Sequence, residues 1–279
     1  MSIDFEQEKR LAEIGGSTMS YLDIGSGPAV VLGHSYLWSA QMWAPQIAAL
    51  SKHCRVIVPE LWGHGKSAAM PAGTADLGHL ARQHLELLDR LGVENFVVAG
   101  LSVGGMWGVE LALQVPDRVS GLVLLGTFFG SEPAPSRERY FSMLKTAESV
   151  GAVPDAIVDA ILPLFFSATS LAHRQDLIDM FRQGLRQASR EDIVQSIVPL
   201  GRMIFGRRDG LADLRRLTMP ALVVTGEQDR SRPPAEGRAM AEALGCKFVE
   251  LAGAGHVSSL EAPDEVTELL AAFIQKAVP

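Results

Sequence analysis

A serine that could act as a nucleophile lies near the middle of the chain. Ser102 stands in Gly100-Leu101-Ser102-Val103-Gly104, after a β-branched apolar run and before apolar residues at helical spacing. This order predicts a strand, a tight turn and a helix, the arrangement called a nucleophile elbow. The same five-residue pattern also occurs by chance in glycine-containing loops. The catalytic interpretation therefore needs a base and an acid elsewhere in the chain.

The spacing of the glycines around Ser102 has a steric reason. A turn tight enough to present the serine hydroxyl forces an unfavourable backbone conformation, for which we expect a positive φ. Gly100 and Gly104 then leave room that side chains would fill. The helix that follows directs its positive end at the serine. The backbone N–H of Val103 is expected to be one donor of an oxyanion hole.

A base and an acid follow later in the chain, each directly after a predicted strand. Asp229 follows the strand Ala221–Thr225, and His256 follows the strand Lys247–Leu251, after small residues that leave space for an imidazole. The chain order is serine, acid, histidine, as the elbow arrangement requires. An ordinary turn aspartate and a packed histidine are the alternatives. We predict that Ser102, Asp229 and His256 form a catalytic triad.

The loop after the strand Ala29–Leu32 is expected to supply the second oxyanion donor, the backbone N–H of Tyr36. His34 and His64 lie in turns near the predicted site, where we expect them to brace loops by hydrogen bonds rather than to transfer protons. No His-x-x-Glu-His segment or comparable cluster of metal ligands is present in the sequence. The predicted reaction therefore uses no metal and no other cofactor.

The elements that must position these residues alternate along the chain. A half-exposed edge strand is predicted at Thr18–Ile24, and short buried strands alternate with amphipathic helices on both sides of Ser102. Such alternation predicts an α/β fold with a mostly parallel central sheet and helices on both faces. Ligands of such sheets bind beyond the carboxyl ends of the strands, where the three predicted triad residues lie.

The alternation stops between Glu132 and Leu217, where only helical periodicity is found. We interpret residues 132–217 as a helical lid inserted between the core segments 1–131 and 218–279. A separate helical domain is the alternative. Apolar residues of the loops and lid are candidates for substrate contact, although each could instead pack in the core: Trp38, Phe128, Phe129, Leu162, Phe165 and Phe166.

Composition narrows the class of protein and of partner. The chain has 279 residues, 47% of them hydrophobic, and a net charge of -7 without a basic cluster. This argues against nucleic acid or an anionic membrane as partner and favours a small-molecule substrate. Residues 1–10 lack the apolar segment of a secretory signal, and no apolar run is long enough to span a membrane. We expect a cytoplasmic protein in which Cys54 and Cys246 are free thiols.

The chain resembles the α/β-hydrolases from about residue 21 to residue 274. The resemblance is carried by Gly33-His34-Ser35-Tyr36, Gly63-His64-Gly65-Lys66-Ser67, Gly100-Leu101-Ser102-Val103-Gly104-Gly105, Gly226-Glu227-Gln228-Asp229 and Gly255-His256. The elbow and the segment around His256 are most similar to the esterase and enol-lactonase branch. Ser35 stands where the family usually has glycine, and Glu60 stands where aspartate is common.

The resemblance implies hydrolysis of a carboxylic ester or lactone through an acyl-enzyme on Ser102, with His256 as base and Asp229 as its partner. The same triad could instead hydrolyse a carbon–carbon bond beside a ketone, or act on hydrogen peroxide as a perhydrolase. A ligand-binding receptor on a hydrolase scaffold is a third hypothesis, from another functional class.

Overall fold

A computed structural model describes residues 4–278, and its centre is one sheet of eight strands. The spatial order is β1-β2-β4-β3-β5-β6-β7-β8. In chain order the strands are β1 (Arg10–Ile14), β2 (Ser17–Ile24), β3 (Ala29–Gly33), β4 (Arg55–Pro59), β5 (Phe96–Leu101), β6 (Val119–Leu125), β7 (Ala221–Gly226) and β8 (Lys247–Leu251). Strands β3 to β8 run parallel, and β1 and β2 are antiparallel to their neighbours. The predicted mostly parallel α/β sheet is confirmed.

One edge of the sheet differs from the prediction. The expected edge strand at Thr18–Ile24 is β2, which lies between β1 and β4 and is therefore an internal strand. The actual edge is β1, joined to β2 by a turn in which Gly15 and Gly16 both have positive φ. The sequence gives little sign of β1 because most of its side chains, including Leu11 at 59% exposure, face water.

Helices cover both faces of the sheet. Before the insertion they are α1 (Phe5–Glu8), α2 (Ala44–Leu50), α3 (Leu77–Arg90) and α4 (Val103–Gln114). Between β6 and β7 lie α5 (Ala134–Val150), α6 (Asp155–Phe165), α7 (Ala168–His173), α8 (Gln175–Gln187), α9 (Arg190–Asp192) and α10 (Val198–Phe205), with a π-helical turn at Ile193–Ile197. After β7 follow α11 (Pro234–Leu244), α12 (Ser258–Glu261) and α13 (Pro263–Ala277).

The core consists of two apolar layers separated by the sheet. Every residue of β5 is buried, so successive side chains must find apolar neighbours on opposite faces. Val98 packs in the layer that contains Trp107 of α4, whereas Val97 packs in the layer that contains Ile274 of α13. This two-sided packing fixes β5, and with it the elbow at its carboxyl end.

The stretch between β6 and β7 is helical, as the sequence predicts for residues 132–217. The domain boundaries themselves stay a prediction, and their outer limits at residues 1 and 279 lie outside the described residues. Residues 1–3, which belong to the segment predicted to lack a secretory signal, also lie outside the described residues. No helix in residues 4–278 is long and apolar enough to cross a membrane. Cys54 and Cys246 are both unpaired, as expected.

Candidate active site

Ser102 occupies a strained turn between β5 and α4. Its φ is 58° and its ψ is -120°, so the positive φ predicted from the sequence is confirmed. A Cβ on Gly100 would lie 2.2 Å from the carbonyl carbon of Gly104, which explains why this position needs glycine. The Ser102 N–H donates to the Leu125 carbonyl at 2.9 Å, and Thr127 Oγ1 donates to the Ser102 carbonyl at 2.6 Å. The end of β6 therefore holds the strained turn in place.

Asp229 and His256 contact each other in a buried pair. His256 Nδ1 lies 2.8 Å from Asp229 Oδ2, and the two side chains are 1% and 0% exposed. The other carboxylate oxygen, Oδ1, accepts the backbone N–H groups of Ser231 at 2.9 Å and Arg232 at 2.7 Å. These two bonds orient the carboxylate so that Oδ2 faces the imidazole.

Gly126 shows how closely the carboxyl ends of the strands converge. It directly follows β6 with a φ of 46°, and a Cβ there would lie 2.9 Å from Asp229 Oδ2 and 3.2 Å from His256 Nδ1. Because the residue before it, Leu125, accepts the Ser102 N–H, the elbow and the acid–histidine pair lie against the same strand end. No hydrogen bond in residues 4–278 joins Ser102 Oγ to His256. The structure thus joins Asp229 to His256 and places Ser102 at the same sheet edge.

The loop that follows β3 contains the second strained residue. Leu37 and Ser102 are the two non-glycine residues with positive φ in the described chain, and Leu37 has a φ of 66°. The Leu37 N–H donates to His64 Nε2 at 3.1 Å, and His64 Nδ1 lies 2.9 Å from the Trp62 carbonyl. Because Nδ1 must donate to that carbonyl, Nε2 is left as an acceptor and His64 is neutral. Burial lowers the pKa of His64 to about 4, in agreement with this tautomer.

His34 braces the same loop in the same way. Its Nδ1 lies 2.8 Å from the Ser35 carbonyl, and its Nε2 accepts the N–H of Leu61 at 2.9 Å. Burial, reinforced by the neighbouring His64, lowers its pKa well below the usual value of 6.5. The prediction that His34 and His64 support loops by hydrogen bonds is confirmed.

Glu60, at the position where the family commonly has aspartate, links three loops. Its carboxylate accepts the backbone N–H groups of Ala40 at 3.3 Å and Lys66 at 3.0 Å, and it forms an ion pair with Lys9 at 3.3 Å. The side chain is fully buried. These contacts indicate that Glu60 holds the loops around the site in position and takes no part in a reaction.

The two predicted oxyanion donors are backbone groups at the expected ends of elements. Val103 is the first residue of α4, so its N–H has no partner within the helix. In the described part of the chain no hydrogen bond engages the N–H of Tyr36, whose side-chain hydroxyl donates to the Ile197 carbonyl at 2.7 Å. Both N–H groups can therefore donate a hydrogen bond to an anionic oxygen.

An apolar cavity of about 80 Å³ adjoins the site. Three of its lining residues neighbour the predicted machinery: Tyr36 belongs to the oxyanion loop, the Ser231 N–H donates to Asp229, and the ring of Phe165 packs edge-on against His256 at 5.6 Å between centroids. Helices α5, α6 and α10 supply most of the remaining wall, including Tyr140, Met143, Ile157, Ile161 and Phe205. The sequence marks these lid residues only as apolar helix positions.

The six predicted substrate-contacting residues are distributed differently from the expectation. Phe165 lines the apolar cavity. Trp38, Phe129 and Phe166 each line a different outer cleft. Leu162 and Phe128 line none of these four spaces, and Leu162 packs in the core. The predicted contacts of the five residues other than Phe165 therefore have no support from the position of this cavity.

A buried ionic cluster beside Asp229 has no signature in the sequence. Glu132 accepts two bonds from Arg232 Nη2, at 2.7 and 2.8 Å, and one from Arg207 Nη1 at 3.0 Å. Glu236 lies 3.4 Å from Arg232 Nη1. Glu132 precedes α5 and Arg207 follows α10, the first and last α-helices of the insertion, whereas Arg232 donates its backbone N–H to Asp229. The cluster therefore connects both ends of the insertion to the loop that carries the predicted acid.

Across residues 4–278 no group of three or more histidine, cysteine, aspartate or glutamate side chains could hold a metal ion.

Known proteins are similar to this chain in sequence and in fold. A family model described as alpha/beta hydrolase fold matches residues 28–263. The chain is 24% identical to 3-oxoadipate enol-lactonase 2 of Acinetobacter baylyi, over 92% of this chain and 93% of that protein. An esterase from Thermogutta terrifontis superposes with a TM-score of 0.87 at 26% identity, over 97% of this chain and 99% of the other. The enol-lactonase of Burkholderia xenovorans superposes with a TM-score of 0.85 at 30% identity, over 95% of this chain and 100% of the other.

Proposed function

The chain belongs to the α/β-hydrolase fold family, and from this premise we propose that it hydrolyses a carboxylic ester or lactone through an acyl-enzyme on Ser102. The observation that carries the proposal is the 2.8 Å contact between His256 Nδ1 and Asp229 Oδ2 at the sheet edge where the Ser102 elbow lies. The names of the enol-lactonase and esterase relatives support an acyl substrate.

The first half of the proposed reaction follows from the tautomer of His256. In the neutral imidazole, an Nδ1–H that donates to Asp229 leaves Nε2 free to accept the proton of the Ser102 hydroxyl. Ser102 Oγ then forms a bond to the carbonyl carbon, and the charge that develops on the carbonyl oxygen is bound by the N–H groups of Val103 and Tyr36. The carbon–oxygen bond to the alcohol breaks, and Nε2–H delivers its proton to the departing oxygen.

The second half repeats these steps with water. His256 Nε2 takes a proton from a water molecule whose oxygen bonds to the acyl carbon, and the same two N–H groups bind the oxyanion. Collapse of this intermediate releases the carboxylic acid and returns a proton to Ser102 Oγ. Every proton that moves passes through His256, so no metal or organic cofactor enters the proposal.

The deciding experiment compares wild type with Ser102→Ala on a panel of ethyl and aryl esters, lactones and 1,3-diketones. We expect hydrolysis of esters or lactones by wild type and a loss of at least about 10⁴-fold in kcat for the variant. Ser142→Ala, an exposed serine of α5, is the control and should retain full activity. Equal turnover by Ser102→Ala would exclude Ser102 as nucleophile, and cleavage of the diketones alone would favour the carbon–carbon hydrolase.

A further inference from the structure

Among residues 4–278, no charged side chain lines the apolar cavity. The described lining includes no lysine, arginine, aspartate, glutamate or histidine, and its side-chain oxygen atoms are the hydroxyls of Tyr36, Tyr140 and Ser231. The Tyr36 hydroxyl already donates to the Ile197 carbonyl. Burial raises the pKa of this hydroxyl, so it stays neutral. A negative group in the cavity would therefore meet carbon on nearly every side.

Arg139, Arg230 and Arg232 directly adjoin wall residues in sequence, but none of the three lines the cavity. Arg232 follows Ser231 of the cavity wall, but its guanidinium is paired with Glu132 at 2.7 Å and lies 3.4 Å from Glu236. Both partners are carboxylates, so the positive charge is already compensated. Aromatic contacts close the wall elsewhere: Phe205 stacks on Tyr140 at 4.1 Å and meets the Tyr36 ring edge-on at 6.1 Å.

The position of the cavity relative to the oxyanion loop indicates which part of an ester enters it. Tyr36 lines the cavity with its side chain and is expected to offer its backbone N–H to the carbonyl oxygen. A carbonyl oxygen bound to that N–H would bring the acyl carbon next to the cavity, so that its substituent could extend among the side chains of α5, α6 and α10.

We propose that this cavity binds the acyl chain of the substrate, and that it selects short, apolar acyl chains and rejects those that end in a carboxylate. The inference rests on the proposed ester hydrolysis and adds the substrate class to it. Burial of an ionised carboxylate without a cation or donors is strongly unfavourable, because the group loses its hydration and gains no partner. A cavity of about 80 Å³ also leaves space for only a few carbon atoms.

Two ethyl esters of equal acyl length test the proposal. Ethyl butyrate carries a four-carbon apolar acyl chain, and monoethyl succinate carries a four-carbon chain that ends in a carboxylate. We expect kcat/KM for monoethyl succinate to be at least about 100-fold lower at pH 7.5, measured as ethanol release. Ser102→Ala should abolish both reactions.

A charge introduced into the wall should shift this selectivity. Met143 is a half-buried residue of α5 that lines the cavity, and lysine has a similar length. Met143→Lys should lower the ratio of kcat/KM for butyrate over succinate at least about tenfold. Ser142→Lys adds the same charge on the exposed side of the same helix and should leave the ratio unchanged.

The outcomes separate this inference from the proposed function. Hydrolysis of both esters at equal kcat/KM by wild type, with Ser102→Ala inactive, would overturn the selectivity and leave the ester hydrolase intact. An equal change in the kcat/KM ratio for Ser142→Lys and Met143→Lys would also overturn it. The effect would then come from added positive charge anywhere on α5 rather than from charge inside the cavity. Hydrolysis of neither ester, nor of any ester or lactone in the panel, would overturn the proposed function and this inference with it.

Discussion

The backbone N–H of Leu37 donates to Nε2 of His64 across 3.1 Å, and this bond ties a strained residue of the predicted oxyanion loop to a buried histidine. Leu37 adopts a φ of 66°, a region that leucine rarely enters and that costs about 1–3 kcal/mol. The loop keeps this conformation only if its surroundings compensate. His64 supplies an acceptor that is oriented by its own bond to the Trp62 carbonyl.

Replacement of His64 by phenylalanine should therefore impair catalysis more than folding. The ring volume is kept, but the Leu37 N–H loses its acceptor and the loop relaxes away from the position that the Tyr36 N–H needs. We expect kcat to fall about 10²-fold, the typical effect of losing one oxyanion donor, with little change in KM. His84→Phe is the matched control, because His84 is a buried neutral histidine that stacks on Trp107 and bonds through Nδ1 to the Leu80 carbonyl of its own helix. Equal effects of the two substitutions on kcat would contradict this role of His64.

Stability should decrease as the pH falls from 7 to 5. Burial lowers the pKa values of His64 and His84 to about 4, whereas in the unfolded chain both titrate near 6.5. Between about pH 6.5 and 4 the unfolded state thus binds more protons than the folded state, and stability rises with pH in that window. At pH 5 each histidine should lower the free energy of unfolding by about 2 kcal/mol relative to pH 7. Urea unfolding of wild type and His64→Phe at both pH values measures this.

Between pH 7 and pH 5, the free energy of unfolding should fall less for His64→Phe than for wild type. The difference should equal the contribution of one histidine. Two parallel dependences on pH would show that His64 titrates normally in the folded protein. Activity gives an independent readout, because a proton on Nε2 would turn the acceptor of the Leu37 N–H into a second donor.

Asp229→Asn should retain the fold and lose most of the activity. The amide is nearly isosteric and can still accept the N–H groups of Ser231 and Arg232, but it cannot hold His256 in the tautomer that leaves Nε2 unprotonated. The expected loss in kcat is about 10⁴-fold. The exposed Asp117→Asn is the control, with thermal unfolding measured for both variants. Wild-type kcat in Asp229→Asn would mean that another carboxylate serves His256.

The parts of the site that have a local sequence signal could be predicted, and those without such a signal could not. The elbow at Ser102 follows from glycines two residues away and from the strand and helix on either side, so its φ of 58° was foreseeable. The contact between Asp229 and His256 could be predicted because each residue follows a strand, and parallel strands deliver their carboxyl ends to one edge. Strand β1 was missed because a water-facing edge strand has no apolar pattern.

Side-chain partners far apart in the chain leave no such local signal. Glu132 lies 75 residues from Arg207 and 100 from Arg232, and each of the three residues alone reads as a surface charge. The cavity wall has the same limitation: Met143 and Ile157 belong to helical apolar patterns that look the same whether they face a core or a ligand. The packing of α5, α6 and α10 decides which of their apolar side chains face the cavity.

The ionic cluster predicts a large and non-additive loss of stability. Glu132→Leu removes the carboxylate between two buried guanidinium groups, so Arg207 loses the carboxylate that it bonds and Arg232 retains only the contact with Glu236 at 3.4 Å. We expect the free energy of unfolding to fall by about 3–5 kcal/mol. Glu148→Leu is the control, because Glu148 pairs with Arg202 at 2.6 Å on the surface and such pairs contribute about 1 kcal/mol or less.

The double variant Glu132→Leu/Arg232→Leu should be more stable than the sum of its single variants predicts, because it removes a charge together with its partner. Additive losses in urea unfolding would mean that the cluster does not act as a unit. Arg232 also donates its backbone N–H to Asp229 at 2.7 Å. If the cluster acts as a unit, its disruption should therefore also disturb the position of the Asp229 carboxylate. Glu132→Leu should then lower kcat even at temperatures where the variant stays folded, whereas Glu148→Leu should not.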